Sequence, residues 1–530
     1  QNNSGFNGLS TTAINALGQI NERTKNVLGN VTQVYDADAN DTYYRYDPFG
    51  NLVETEDADG NIISNTFDIR GRKIAMSDPD MGDWTYSYNA LGELVSQTDA
   101  KNQTTTMEYD LLGRMTSRVE LEGTSTWVFD TASNGIGKLH TETGPLGNTK
   151  TLSYDALGRA NNVNTTIEGN SFDVTTSYDS LSRVENITYP QSTKYPLGLT
   201  VEYAYTEQAT DGVDGFLKTV TNQTDGIIYW EAKAQNAAGQ LTDIMLGNGI
   251  NTTMNYNPET NLVSGIQSGT TLGGHDIQNL GFTFDAIGNL TKRSDYNQFV
   301  NLTALNEQFT YDSLNRMTDS TVLAQGAKSY GYDALGNITS KTGVGSYSYG
   351  DNAGPHAVTQ TDLSGVFTSY YYDANGNMTS GNNRTISYTS FNKPKQITNA
   401  TADITFTYGA DRARIIRKNL ITGKTRYYIG NLFEQETKSG LTTYTHYIRA
   451  GGSTVAIETS KSDHASSIHY LHKDHLGSIT AITDSQGLIV EEQSYDPFGK
   501  RRNSDWTDIA GPSTSSTTTD RGYTGHEHID

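Results

Sequence analysis

Tyr109-Asp110-Leu111-Leu112-Gly113-Arg114 is the stretch whose reading decides the fold. Close copies are Tyr46-Asp47-Pro48-Phe49-Gly50-Asn51, Phe67-Asp68-Ile69-Arg70-Gly71-Arg72, Tyr88-Asn89-Ala90-Leu91-Gly92-Glu93, Tyr154-Asp155-Ala156-Leu157-Gly158-Arg159 and Tyr332-Asp333-Ala334-Leu335-Gly336-Asn337. Further copies begin at Tyr178, Phe284, Tyr311, Tyr372 and Tyr495. The aromatics at 46, 67, 88 and 109 fall 21 residues apart. A fixed period of that size marks a repeat architecture.

The unit has a mechanical sense. An aromatic closes a strand, where it packs well on a pleated surface. Asp turns the chain by bonding to its own backbone. Gly supplies the positive φ of a tight turn, and a new strand follows, as in Asn51-Leu52-Val53-Glu54-Thr55. A second turn comes half a period later, at Asp57-Ala58-Asp59-Gly60 and at Asp99-Ala100-Lys101-Asn102. Each period is therefore a β-hairpin. The fold class is all-β, a long antiparallel sheet of repeated hairpins in which each unit leans on its neighbours.

Bulk properties bound the rest. The 530 residues are 34% hydrophobic, with 33 Tyr and 10 Pro. Tyr offers an apolar face and a polar tip, which suits strands wet on one side. The net charge of −22 makes nucleic acid a poor partner. The sequence has no Cys, so no disulfide is expected, and no apolar run approaches the ~18 residues of a membrane helix. The sequence begins at Gln1 and enters a repeat already under way at Asn15-Ala16-Leu17-Gly18, which reads as a piece of a longer chain.

Along the chain the repeats are regular to about Arg183. Between 184 and 281 the motif weakens while turn signals persist, which reads as diverged repeats, with an inserted domain as the alternative. The regular form returns from Phe282 to about Asn392. Strands lengthen from Ile397 to Ile448, and Ser504 to Asp520 reads as a loop or linker.

Repeated Tyr-Asp-x-x-Gly-Arg resembles the YD repeat of the Rhs proteins, shared with teneurins and the C component of insecticidal Tc toxins. The sharpest likeness is late in the chain: Asp474-His475-Leu476-Gly477-Ser478, Tyr495-Asp496-Pro497-Phe498-Gly499 and Tyr523-Thr524-Gly525-His526-Glu527-His528. This series is similar to the Rhs-associated core. The resemblance implies a sheet that spirals into a hollow shell, with residues 1–448 as repeat shell and 449–530 as a core truncated at its C-terminal end. In bacterial members the shell encloses a toxic C-terminal segment, cut free by an aspartyl autoprotease formed by the core. Partners implied are that enclosed segment and a secretion-system or Tc-type B component, in a protein secreted or delivered by a bacterial secretion system. A glycan-binding or receptor-binding surface module is the alternative, and an autoprotease completed by residues after Asp530 is a third reading.

Chemistry is sparse in the residues themselves. An aspartyl dyad needs two carboxylates sharing a proton, and Asp530, the weak catalytic candidate, has no assignable partner. Asp474 and Asp496 are expected in turns. The late histidines, including His526 and His528, are expected to be structural, with neither metal nor cofactor. Arg72, Arg114, Arg159, Arg183 and Arg316 are expected to pair with Asp of the adjacent repeat.

Overall fold

The computed structural model describes residues 3–207, 215–271, 273–300, 302–509 and 518–528. Among these residues forty-seven strands run from Asn3–Asn7 to Arg501–Arg502. Of these, 45 form one sheet, and the pairings run antiparallel from each strand to the next. The remaining two, Ser494–Tyr495 and Arg501–Arg502, pair with each other. Among the described residues the only helical element is a 3-10 turn at Tyr523–Gly525.

The repeated hexapeptide builds one kind of corner. The Asp110 carboxylate accepts the N–H of Leu112 at 2.9 Å and of Arg114 at 3.0 Å. Gly113 donates back to the Asp110 carbonyl at 3.0 Å. The tyrosine then ties one repeat to the one before it. Tyr109 donates its hydroxyl to the Leu94 carbonyl at 2.8 Å, and Tyr46, Tyr88 and Tyr332 do the same to Val31, Lys73 and Met317. These bonds give the ring an anchored polar tip while its face stays in the wall.

Gly113 sits at φ +77°, in the left-handed region. Other copies of the corner place Asn315 and Asn392 at that position, at φ +64° and +59°, and asparagine is the side chain that best tolerates this conformation. Gly113→Ala is therefore expected to cost about 1–2 kcal/mol, and Gly113→Asn distinctly less. Paired denaturation curves check this, and equal losses for both variants would refute the backbone account.

The arginines differ from the sequence expectation. Each of the five pairs with the Asp of its own corner, four residues back: Arg72 with Asp68, Arg114 with Asp110, Arg159 with Asp155, Arg183 with Asp179 and Arg316 with Asp312. Toward the next repeat they stack on an aromatic ring. The guanidinium carbons lie 5.0 Å from the centre of Tyr88, 4.5 Å from Phe129 and Tyr178, 4.2 Å from Tyr205 and 4.9 Å from Tyr332. Arg114 alone of the five also reaches the next repeat's carboxylate, at Asp130. The short loop brings its own Asp within reach, and the planar guanidinium covers the ring that closes the next strand.

The sheet spirals and stacks on itself. Gln19 bonds to Asn315 across 296 residues, Lys101 to Asp373 across 272, and Lys194 to Glu458 across 264. Early in the spiral, turns on one edge of the first winding meet turns that follow a tyrosine-ended strand in the second, as in Asp80 with His356, Glu122 with Ser390 and Glu120 with Arg412. The interval then shrinks. Asn248 meets Asp484 across 236 residues, Gln278 meets Thr480 across 202, and Lys328 meets Asp508 across 180. The spiral tightens, and the last strands fold onto the wall formed by residues 228–328. The corner tips of the first winding, Phe49, Ile69, Leu91, Leu111 and Leu157 among them, stand exposed. Their counterparts in the second winding, such as Asn375 and Ala410, are buried.

The accessible surface is 26190 Å². A compact globule of this mass would expose about 18,900 Å², so much of the sheet keeps both of its faces open. Between residues 10 and 160, Trp84 and Met107 are the buried apolar side chains among the described residues. The main core lies where the late strands cover the early ones: Tyr189, Val220, Tyr229 and Trp230 pack with Phe433, Ile448 and Tyr470. This explains why the motif fades between 184 and 281. The strands continue there in the same sheet, from Val184–Thr188 to Gln278–Phe284, but their faces are covered and carry apolar residues. The sheet also passes residue 448 without a break, inside Leu441–Ala450.

Candidate functional site

The late motifs meet in space. Asp474, Leu476, Gly477 and Ser478 form one corner, in which the Asp474 carboxylate accepts the N–H of Leu476 at 2.9 Å and of Ser478 at 2.8 Å. His475 lies with its ring centre 4.2 Å from that of Phe282, on the wall beneath. The Ser478 hydroxyl accepts the N–H of Thr524 at 3.2 Å, and Ile479 donates to the Gly522 carbonyl at 3.3 Å. A second corner runs from Tyr495 to Gly499, with Asp496 accepting from Phe498 and Lys500 at 2.9 Å each. Tyr523 bonds to the Pro497 carbonyl at 3.1 Å, and its ring lies where a Cβ on Gly499 would come within 2.7 Å. Glycine is thus required at 499 by close approach as well as by its φ of +85°. Tyr495 packs between Tyr523 and His528, its ring stacked on the histidine at 6.0 Å. Gly525 closes the 3-10 turn at φ +76° and delivers Glu527.

Glu527 enters a cage of cations that the sequence reading missed. Arg417 holds it at 2.8 Å and Arg426 at 3.4 Å, Arg414 touches its other oxygen, and the Tyr428 hydroxyl donates at 2.8 Å. Arg426 is shared. It also reaches Asp520 at 2.5 Å, Glu436 at 2.6 Å and Glu434 at 3.1 Å. Arg521 bonds to Glu434 at 2.8 Å, and Lys424 to Glu436 at 2.9 Å. Burial pushes the Glu527 carboxyl up, but Arg414, Tyr428 and Arg417 outweigh it and hold it below the usual glutamate value. At Glu434 burial wins over Arg426 and Arg521, and its carboxyl is raised. The signal available in the sequence was Arg412, Arg414, Arg417 and Arg426 within fifteen residues of an acidic chain.

A second polar hub lies in the core. Glu458 is fully buried and accepts from Lys194 at 2.6 Å, from the Tyr195 hydroxyl at 2.6 Å and from the Tyr229 hydroxyl. It joins the two windings. His446 packs beside it, edge-on to Tyr189 and Tyr195, and burial pushes its imidazole down to about 4 against the pull of Glu458. His472, also buried, bonds to Thr483 at 3.0 Å, and burial takes it to about 4 as well.

Glu434, Glu436, Asp520 and Glu527 are each held by an arginine, and Asp474 and Asp496 by backbone N–H groups of their own corners. Asp530 lies outside the described residues. His526 and His528 follow the 3-10 turn: His526 bonds to Thr524 and His528 stacks on Tyr495. Among the described residues no group of three His, Asp or Glu is placed to hold a metal ion. Nor, among them, is there a helix long and apolar enough to cross a membrane.

Comparison with known proteins agrees with the repeat and the spiral. The family described as Teneurin YD-shell matches residues 261–507, and the RHS Repeat matches residues 26–62 and 88–125. No curated protein matches the sequence. Among solved structures, TcdB2-TccC3 superposes with a TM-score of 0.80 at 15% identity, over 99% of this chain and 31% of that one. TcdB2-TccC3-Cdc42 gives 0.79 at 16%, over 99% and 30%. The Photorhabdus luminescens Tc holotoxin pore gives 0.75 at 15%, over 94% and 29%. The chain thus spans about a third of the length of the solved chains it matches. With its aromatic-acid-glycine corners, its stacked spiral sheet and these matches, the chain carries RHS repeats and a region similar to the Teneurin YD-shell, in the fold of the Tc toxin structures.

Proposed function

We propose that this chain is part of the wall of a capsule that encloses an effector segment and delivers it within a Tc-type or Rhs-type toxin assembly. The observation that carries this reading is the sheet stacked on itself, winding over winding, with surface on both sides far beyond that of a compact globule. Such a wall acts by confinement: it needs no catalytic group, and its residues are spent on corners, stacking edges and fastenings. The Tc-type structures it resembles suggest a B component as its partner and delivery outside the producing cell.

Two measurements test it. Small-angle scattering of this chain is expected to give a radius of gyration clearly above the ~24 Å of a compact 530-residue globule. In the parent polypeptide, proteinase K is expected to spare the effector segment while the shell is intact and to digest it once the shell is opened with denaturant. A compact radius, or an effector cut equally fast in both states, overturns the proposal.

A further inference from the structure

The face that receives Glu527 extends well past it. Six consecutive antiparallel strands, Arg414–Asn419, Lys424–Ile429, Phe433–Lys438, Leu441–Ala450, Ser453–Lys461 and Ser466–Lys473, form this part of the sheet. Register places their polar side chains side by side. Arg417 lies opposite Arg426, Arg426 opposite Glu436, Glu436 opposite Thr443, and Thr443 opposite Lys461. Thr445 lies opposite Thr459, and Thr459 opposite Ser467. Together they line a cavity of about 770 Å³, within the range of about 300–1,000 Å³ typical of ligand sites.

One end of this cavity is already covered by a segment of this chain that brings two carboxylates to its arginines. The segment carrying Asp520 and Glu527 crosses it and sets both carboxylates on Arg417 and Arg426. The other end keeps the same chemistry. Lys438 and Lys461 line it, with hydroxyls from Thr443, Thr445, Thr459 and Ser467. Among the described residues neither lysine has a carboxylate within ion-pair distance. The cavity as a whole presents five Lys and Arg side chains against Glu434, Glu436 and Asp520, on a chain whose net charge is −22. A cationic concavity on an anionic body focuses its field on a small anionic partner.

We propose that the Lys438–Lys461 end of this cavity is a docking site for an extended acidic peptide, continuing the strip that Asp520 and Glu527 already occupy. Lysine ammonium groups meet side-chain carboxylates, while the threonine and serine hydroxyls serve the peptide backbone as donors and acceptors. The site does not depend on the capsule reading, because it concerns binding to this chain by itself.

The test is fluorescence anisotropy of fluorescein-labelled hexaglutamate titrated with the chain. Saturable binding is expected, weakening several-fold between 50 and 300 mM salt, as ion pairing at an open site requires. Lys438→Glu with Lys461→Glu is expected to weaken it at least tenfold while leaving the melting temperature in place. Thr443→Val with Thr459→Val, which keeps the charges, is expected to weaken it about threefold. A neutral Gly-Ser hexapeptide binding as tightly overturns the proposal. So does a short single-stranded oligonucleotide that binds more tightly, or a lysine double variant that folds and binds like the native chain.

Discussion

Arg426→Ala is expected to lower the stability of the C-terminal half by about 3–5 kcal/mol, the loss seen when one partner of a buried ion pair is removed. The guanidinium is 13% exposed and touches four carboxylates, Glu434, Glu436, Asp520 and Glu527. Glu434 is buried, its carboxyl already raised by burial. Without Arg426 its ion-pair partner among the described residues is Arg521, and the strap carrying Asp520 and Glu527 loses its central fastening. Arg426→Lys keeps the charge but not the planar fork that serves several oxygens at once, so it is expected to fall between the two. Denaturant unfolding measures the loss, and hydrogen exchange at residues 519–528 locates it. A cost below about 1 kcal/mol, the range of an exposed surface pair, would falsify the fastening role.

The second large effect is acid sensitivity. His446 and His472 are buried and neutral, each taken down to about 4 from an ordinary 6.5 by burial. The sign follows from linkage. The unfolded chain takes up these protons below pH 6.5 and the folded chain does not until about pH 4, so stability is full above 6.5 and falls as pH drops through that window. Each histidine contributes on the order of 3 kcal/mol over the whole interval. The groups facing His446 set the local cost: Tyr189, Tyr195 and Phe433 surround the ring, and Glu458 beside it already serves Lys194 and two tyrosines. Carboxylates held low by cations, such as Glu307 and Glu527, add their own loss only below about pH 4.5. Melting followed from pH 7.5 to 4.5 is expected to show a steep decline, shallower in His446→Phe and shallower again with His472→Gln added. An unchanged slope in the double variant would place the sensitivity elsewhere.

The corners were legible in the sequence because their chemistry is local. Asp110 bonds within its own loop, and Gly113 answers a backbone demand four residues wide, so the hexapeptide carries its own instructions. The partners of Arg72, Arg159 and Arg183 were misplaced because sequence spacing does not say that the loop's own Asp lies within reach, whereas Arg114 does meet the next repeat's Asp130 as well as its own Asp110. What joins one winding to another was not legible. Lys194 and Glu458 are 264 residues apart, and neither residue carries a pattern that names the other. The convergence of Asp474, Tyr495 and Glu527 was suggested by resemblance, but the arginines beneath Glu527 follow only from strand register. The apolar residues between 184 and 281, where the repeat motif weakens, supply one side of the main core, and nothing local in the sequence names the late strands that cover them.

The long interval between stacked edges has a consequence in time. Lys101 waits 272 residues for Asp373. At a synthesis rate of 5–20 residues per second, that is roughly 14–54 s during which the corner leaving the ribosome has its lateral pairs but no roof. Throughout that delay the growing ribbon exposes turns and leucine tips to every other nascent copy nearby. The surplus of acidic side chains, which does little for the finished wall, is well placed to keep such half-built ribbons apart until the later winding arrives.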